Sequence, residues 1–113
     1  MSHHPQDRQW KAICATDAIP AAGARVVRHD GMDPIALFRT SDGHVFAVVD
    51  RCPHLGGPLS AGLVHDHAVT CPLHGWTIGL KDGQAHAPDQ GCVRRIKVRV
   101  EDNTVFLALP ASA

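Results

Sequence analysis

The chain has 113 residues, with 11 Lys and Arg against 11 Asp and Glu, so it is the size of one domain with a modest core and carries no formal net charge. That balance argues against nucleic acid or an anionic membrane as the main partner, since both need a net basic face. No apolar run approaches the ~20 residues of a membrane helix, and residues Met1 to Arg8 lack the apolar centre of a secretory signal; a cytoplasmic protein is expected.

Short apolar stretches separated by turn residues predict a small antiparallel, all-β domain. Residues 1–8 read as a flexible tail and 9–110 as a single domain. Trp10 to Cys14, Gly23 to Arg28 and Ile35 to Arg39 read as the first three strands, and Asp17-Ala18-Ile19-Pro20 as one helical turn. Ser41-Asp42-Gly43 then turns the chain into a fourth strand, His44 to Asp50, with Gly43 supplying the positive φ of a tight turn. That strand delivers Cys52. Leu63 to His65 and Ala68 to Thr70 read as a hairpin whose second strand runs into Cys71, and Lys81-Asp82-Gly83 reads as a further turn. Val93 to Val100 and Thr104 to Leu109 form a closing hairpin; the spacing of Val93, Ile96, Val98 and Val100 breaks alternation once, predicting a bulge near Arg94-Arg95.

The chemistry lies in two short loops. Cys52-Pro53-His54 and Cys71-Pro72-Leu73-His74 each close a Cys/His pair, with sixteen residues between His54 and Cys71. Two thiolates and two imidazoles suit either a zinc ion or a two-iron, two-sulfur cluster with histidines on one iron. Pro53 and Pro72 fix φ inside the loops, while Gly56, Gly57 and Gly75 admit close backbone approach. Zinc fingers usually pair like ligands with like, which favours the cluster over a Cys₂His₂ zinc module. Metal spacing also sets Cys52 and Cys71 apart from a disulfide framework, and a reducing compartment keeps such thiols available. Cys14 and Cys92 read as small core residues. His29, His44, His65, His67 and His86 read as solvated turn or strand-edge residues with no ligand role. His3 and His4 belong to the tail. Trp76 reads as a packing lid, and Arg25, Arg28, Arg94, Arg95, Lys97 and Arg99 as a solvated face able in part to dock an acidic partner.

The C-x-H and C-x-x-H loops resemble the Rieske motif. That resemblance implies a Rieske-type antiparallel β-sandwich with one [2Fe–2S] cluster, Cys52 and Cys71 on one iron and His54 and His74 on the other. Neutral imidazoles in place of two thiolates leave the oxidised cluster less negative and raise its potential. Residues Cys52 to Val100 are similar, more narrowly, to the small subunits of NAD(P)H-dependent assimilatory nitrite reductases. The similarity is carried by Gly57-Pro58-Leu59-Ser60 and Gly91-Cys92-Val93-Arg94 beside the shared Cys-Pro-His and Cys-Pro-Leu-His-Gly-Trp pieces. It implies an electron-transfer subunit, not catalytic alone, whose large partner carries flavin, a [4Fe–4S] cluster and sirohaem and reduces nitrite to ammonium in nitrate assimilation. The alternative is a free Rieske ferredoxin passing electrons from a reductase to an aromatic-ring hydroxylating dioxygenase. In respiratory Rieske proteins a disulfide joins the loops at positions that here are Gly57 and Leu73, and this chain has no Tyr. Both absences imply a potential toward the lower part of the range of about −150 to +300 mV.

Overall fold

A computed structural model describes residues 8–53, 56–73 and 75–110. Among the described residues ten strands run in order: β1 (Arg8–Ala15), β2 (Gly23–Val27), β3 (Ile35–Arg39), β4 (Val45–Val49), β5 (Leu63–His65), β6 (Ala68–Thr70), β7 (Thr77–Gly79), β8 (Arg95–Ile96), β9 (Val98–Glu101) and β10 (Thr104–Pro110). Short 3-10 turns occupy Thr16–Ala18 and Leu59–Ala61. The first lies where the sequence predicted a helical turn. Arg8, assigned to the tail from the sequence, opens β1; the remaining tail residues lie outside the described set.

The strands form three antiparallel sheets, ordered β1-β10-β9, β2-β3-β4-β8 and β5-β6-β7. The four-stranded sheet separates two cores, and side-chain alternation in β3 and β4 explains how. Ala36, Phe38 and Val48 face a core shared with Val64, Val69 and Ile78 of the β5-β6-β7 sheet and with Cys52 and Cys71. Ile35, Leu37 and Ala47 face the opposite core, with Val105, Leu107 and Leu109 of β10. A strand covered on both faces needs apolar residues in succession, which is why Ile35-Ala36-Leu37-Phe38 is legible as an unbroken apolar run, all four fully buried.

The predicted irregularity in the last hairpin is real but lies at Lys97, between β8 and β9. There the chain changes partners: β8 pairs with β4, whereas β9 pairs with β10. A second irregularity, in β1 between Ala12 and Cys14, has no counterpart in the sequence reading. The β9–β10 turn places Asp102 and Asn103 at φ 49° and 62°, the pair of positive φ values that a two-residue type I′ hairpin requires. Arg99 is not simply solvated: its guanidinium lies 4.8 Å from the Trp10 ring centroid and 5.2 Å from that of Phe106. Cys92 is exposed rather than core, and Cys14 is half-buried.

Among the described residues, Phe38 is the largest fully buried side chain of the core that also holds the two cysteines. Phe38→Ala is therefore expected to lower stability by about 3–5 kcal/mol, measured as a shift in denaturant midpoint with both proteins in the same cluster state.

Candidate metal centre

Cys52 follows β4 after two residues, in a loop that links the four-stranded sheet to β5. Its backbone closes the loop by two hydrogen bonds: Cys52 N–H donates to the Gly57 carbonyl at 2.7 Å, and Gly56 N–H donates to the Cys52 carbonyl at 2.9 Å. Asp50 pins the far side of the same loop. Its carboxylate accepts from the Ser60 N–H at 2.7 Å and the Ser60 hydroxyl at 2.6 Å. The sequence reading missed this clamp, although an Asp two residues before the Cys and a Ser within the following loop are its local signature.

Cys71 lies at the tip of the β6–β7 hairpin. Cys71 N–H donates to the Trp76 carbonyl at 2.7 Å, and Leu73 N–H approaches the Cys71 sulfur at 3.4 Å. Such N–H···S contacts stabilise charge on a ligating sulfur. Strand β7 itself was not predicted.

The two loops meet. Gly57 sits so close to Leu73 that a Cβ there would lie 2.5 Å from the Leu73 Cδ1. The loops thus touch at the positions where the resemblance places a disulfide in respiratory relatives. A third segment closes over them, with a Cβ on Gly91 coming 3.1 Å from the Pro53 Cβ and 3.5 Å from the Trp76 ring. Trp76 is half-buried and packs on the core that contains the two cysteines, consistent with a packing role.

Cys52 is 2 % exposed and Cys71 1 %. Burial pushes the Cys71 thiol up from its ordinary 9.0; the Leu73 N–H acts to lower it, and the hydrogen-bonded, like-charged Cys52 raises it further. Two buried sulfurs in mutual contact cannot both ionise without a cation between or beside them. A metal centre supplies that charge, because thiols lose their protons on coordination. The donor chemistry therefore fits an iron–sulfur group. His54 and His74, the other two residues assigned from the sequence, lie outside the described residues. Among the described residues, His65 bonds to the Thr70 hydroxyl at 2.7 Å and His29 to the Pro110 carbonyl at 3.0 Å, so neither turns toward the cysteines.

An antiparallel sandwich with paired buried cysteines on converging loops defines a small iron–sulfur electron-transfer domain. The chain belongs to the Rieske [2Fe-2S] domain family, whose profile matches residues 9–97, and that family carries one Rieske [2Fe–2S] cluster. It is 35 % identical over 99 residues to the 3-phenylpropionate/cinnamic acid dioxygenase ferredoxin subunit of Photorhabdus laumondii, covering 86 % of this chain and 91 % of that one. It is 37 % identical over 102 residues to the anthranilate 1,2-dioxygenase ferredoxin subunit of Burkholderia cepacia, covering 86 % and 89 %. A solved structure from Mycobacterium tuberculosis, assigned as an NADH-dependent nitrite reductase small subunit, superposes with a TM-score of 0.80 at 28 % identity, covering 93 % of this chain and 98 % of that one. Larger oxygenase chains match as well, and this chain spans about a fifth of their length. No helix among the described residues is long and apolar enough to cross a membrane.

Two predictions follow from the loops. A Cβ on Gly62 would collide with the Thr70 carbonyl and the Val69 side chain, neither able to yield without opening β5 from β6. Gly62→Ala should cost about 1–3 kcal/mol and lower the iron content per chain. Gly57→Ala should cost less, because the obstructing Leu73 tip is 41 % exposed and can swing away. The second concerns pH. With the Cys71 value raised in the fold, the native state holds its proton more tightly than the unfolded chain. Cluster-free protein should therefore be most stable below about pH 9 and lose stability as pH rises through the folded value. Urea midpoints at pH 8 and pH 10 test this, and Cys71→Ala should flatten the difference.

Proposed function

We propose that this chain is the small, cluster-bearing subunit of an NAD(P)H-dependent nitrite reductase, relaying single electrons within a complex whose large subunit reduces nitrite. Residues 9–110 would act as one functional unit in a reducing cytoplasm. Cys52 and Cys71 would hold one iron of the cluster, and His54 and His74 the other. When bound, the cluster supplies reversible one-electron transfer. The protein's part is to bury the sulfurs, aim the Leu73 N–H at the Cys71 sulfur, and pack the two loops against each other.

The observation that carries this reading is the segment Gly91-Cys92-Val93-Arg94, whose sequence resembles that of nitrite reductase small subunits and which is built into the centre. Gly91 packs against Pro53 and Trp76, Val93 enters the core beside both cysteines, and the Arg94 carbonyl accepts from Val49 N–H at 2.8 Å, on the strand that leads to Cys52. The M. tuberculosis structure, alike over nearly the whole chain, supports the same reading.

A second reading is supported by the two dioxygenase ferredoxin subunits, at 35 % and 37 % identity over most of both chains. In that case the chain carries electrons from a reductase to a ring-hydroxylating oxygenase. The two readings share the cluster and differ in the partner.

Reconstitution separates them. The cluster-loaded chain should co-purify with a flavin and sirohaem subunit from the same organism and raise its nicotinamide-dependent nitrite reduction. Absence of both effects, together with support of oxygenase turnover, would establish the second reading instead. Independently, electron paramagnetic resonance of the reduced protein should show mixed His/Cys ligation. His54→Ala and His74→Ala should each lose the cluster or alter that signal; an unchanged signal would refute the ligand assignment.

A further inference from the structure

At the other end of β4 and β6, away from the cysteines, three donors converge from two separate turns. Asp42 lies on the β3–β4 turn, His44 follows it, and His67 lies on the β5–β6 turn. One oxygen of the Asp42 carboxylate is 2.9 Å from His67 Nε2 and the other is 3.2 Å from His44 Nδ1. One donor atom from each residue can be chosen so that all three lie within 4.8 Å of one another. From these positions we propose that Asp42, His44 and His67 form a second metal site, for a single divalent transition ion of the zinc class.

The chemistry matches in type, separation and support. Two imidazoles and one carboxylate are a set that binds zinc with an open position for water. Zinc bonds of about 2.0–2.2 Å place neighbouring ligands of a tetrahedron about 3.3 Å apart, so a set already within 4.8 Å has to draw in by no more than about 1.5 Å. The Asp42 and His44 side chains, more than half exposed, have room to turn toward His67. The carboxylate is oriented from behind by the Thr40 hydroxyl, which donates to it. Thr40 is itself 1 % exposed and accepts from the His44 N–H at 3.0 Å, so the orienting group is fixed by the turn. Supports of this kind hold metal ligands in place. The His67 ring is held against Phe46 and His44, with centroids at 5.3 Å and 4.7 Å. His44 and His67, read from the sequence as solvated residues, are thus partners of one carboxylate. His67 stands four residues before Cys71 along an extended strand, about 13 Å at ~3.3 Å per residue, so this site is distinct from the cluster.

The test uses full-length, cluster-loaded protein titrated with zinc chloride by calorimetry, with zinc and iron measured in the same samples after desalting. One zinc per chain is expected beyond the iron. His67→Ala and Asp42→Asn should each weaken zinc binding more than about ten-fold, with iron content and visible spectrum unchanged. Should His67→Ala fail to retain its cluster, His44→Ala, whose side chain is 60 % exposed, provides the same reading. A His3→Ala/His4→Ala double variant should bind zinc as the parent does. No zinc uptake by the parent, equal uptake by the His44 or His67 variants, or loss of uptake in the His3/His4 variant would overturn the proposal.

Discussion

Two sulfurs buried against one another, one from each of two sheets, impose the constraint around which the molecule is organised. Cys52 arrives from the four-stranded sheet and Cys71 from the β5-β6-β7 sheet, and both lie in the core that joins those sheets. Leaving water is tolerable for neutral thiols and costly for thiolates. The site therefore favours a bound cation over free ionised sulfur, and metal binding and sheet packing stabilise each other. The surrounding contacts serve that arrangement: the Asp50 carboxylate on Ser60, Leu73 across Gly57, and the 91–94 segment over Pro53 and Trp76.

Much of this was legible in the sequence, for identifiable reasons. Metal ligands must sit at short, fixed intervals on curled loops, so the Cys/His pairs announce themselves without knowledge of the fold. Strand β3 was legible because burial on both faces demands consecutive apolar residues. Strand β7 was not, since Thr77-Ile78-Gly79 has only one strongly apolar residue and becomes a strand by pairing with β6. The irregularity after Val93 was foreseen but misplaced, because broken alternation signals that partners change without saying which residue makes the change. Cys92 is exposed because it borders the loops from outside, and the tendency of cysteine to be buried carries no information about that. The Asp50–Ser60 clamp spans ten residues and the Asp42–His67 contact twenty-five; contacts of that range depend on how the turns are brought together.

The fold and the centre are common to electron carriers with different partners, which is why relatives from dioxygenase systems and from nitrite reduction both align with this chain over most of its length. Function in such a family is decided by whichever surface meets the donor and acceptor. The segment over the ligand loops is well placed to differ among branches, because it lies against the centre and remains largely exposed at Gly91, Cys92 and Arg94.

The central sheet also has a historical consequence. Its far face rests on β10 through Val105, Leu107 and Leu109, a layer that supplies neither cysteine. Mutations accumulating there can set the lifetime of the protein in the cell while sparing its electrochemistry. A lineage can thus drift in hardiness on one side and hold its voltage steady on the other.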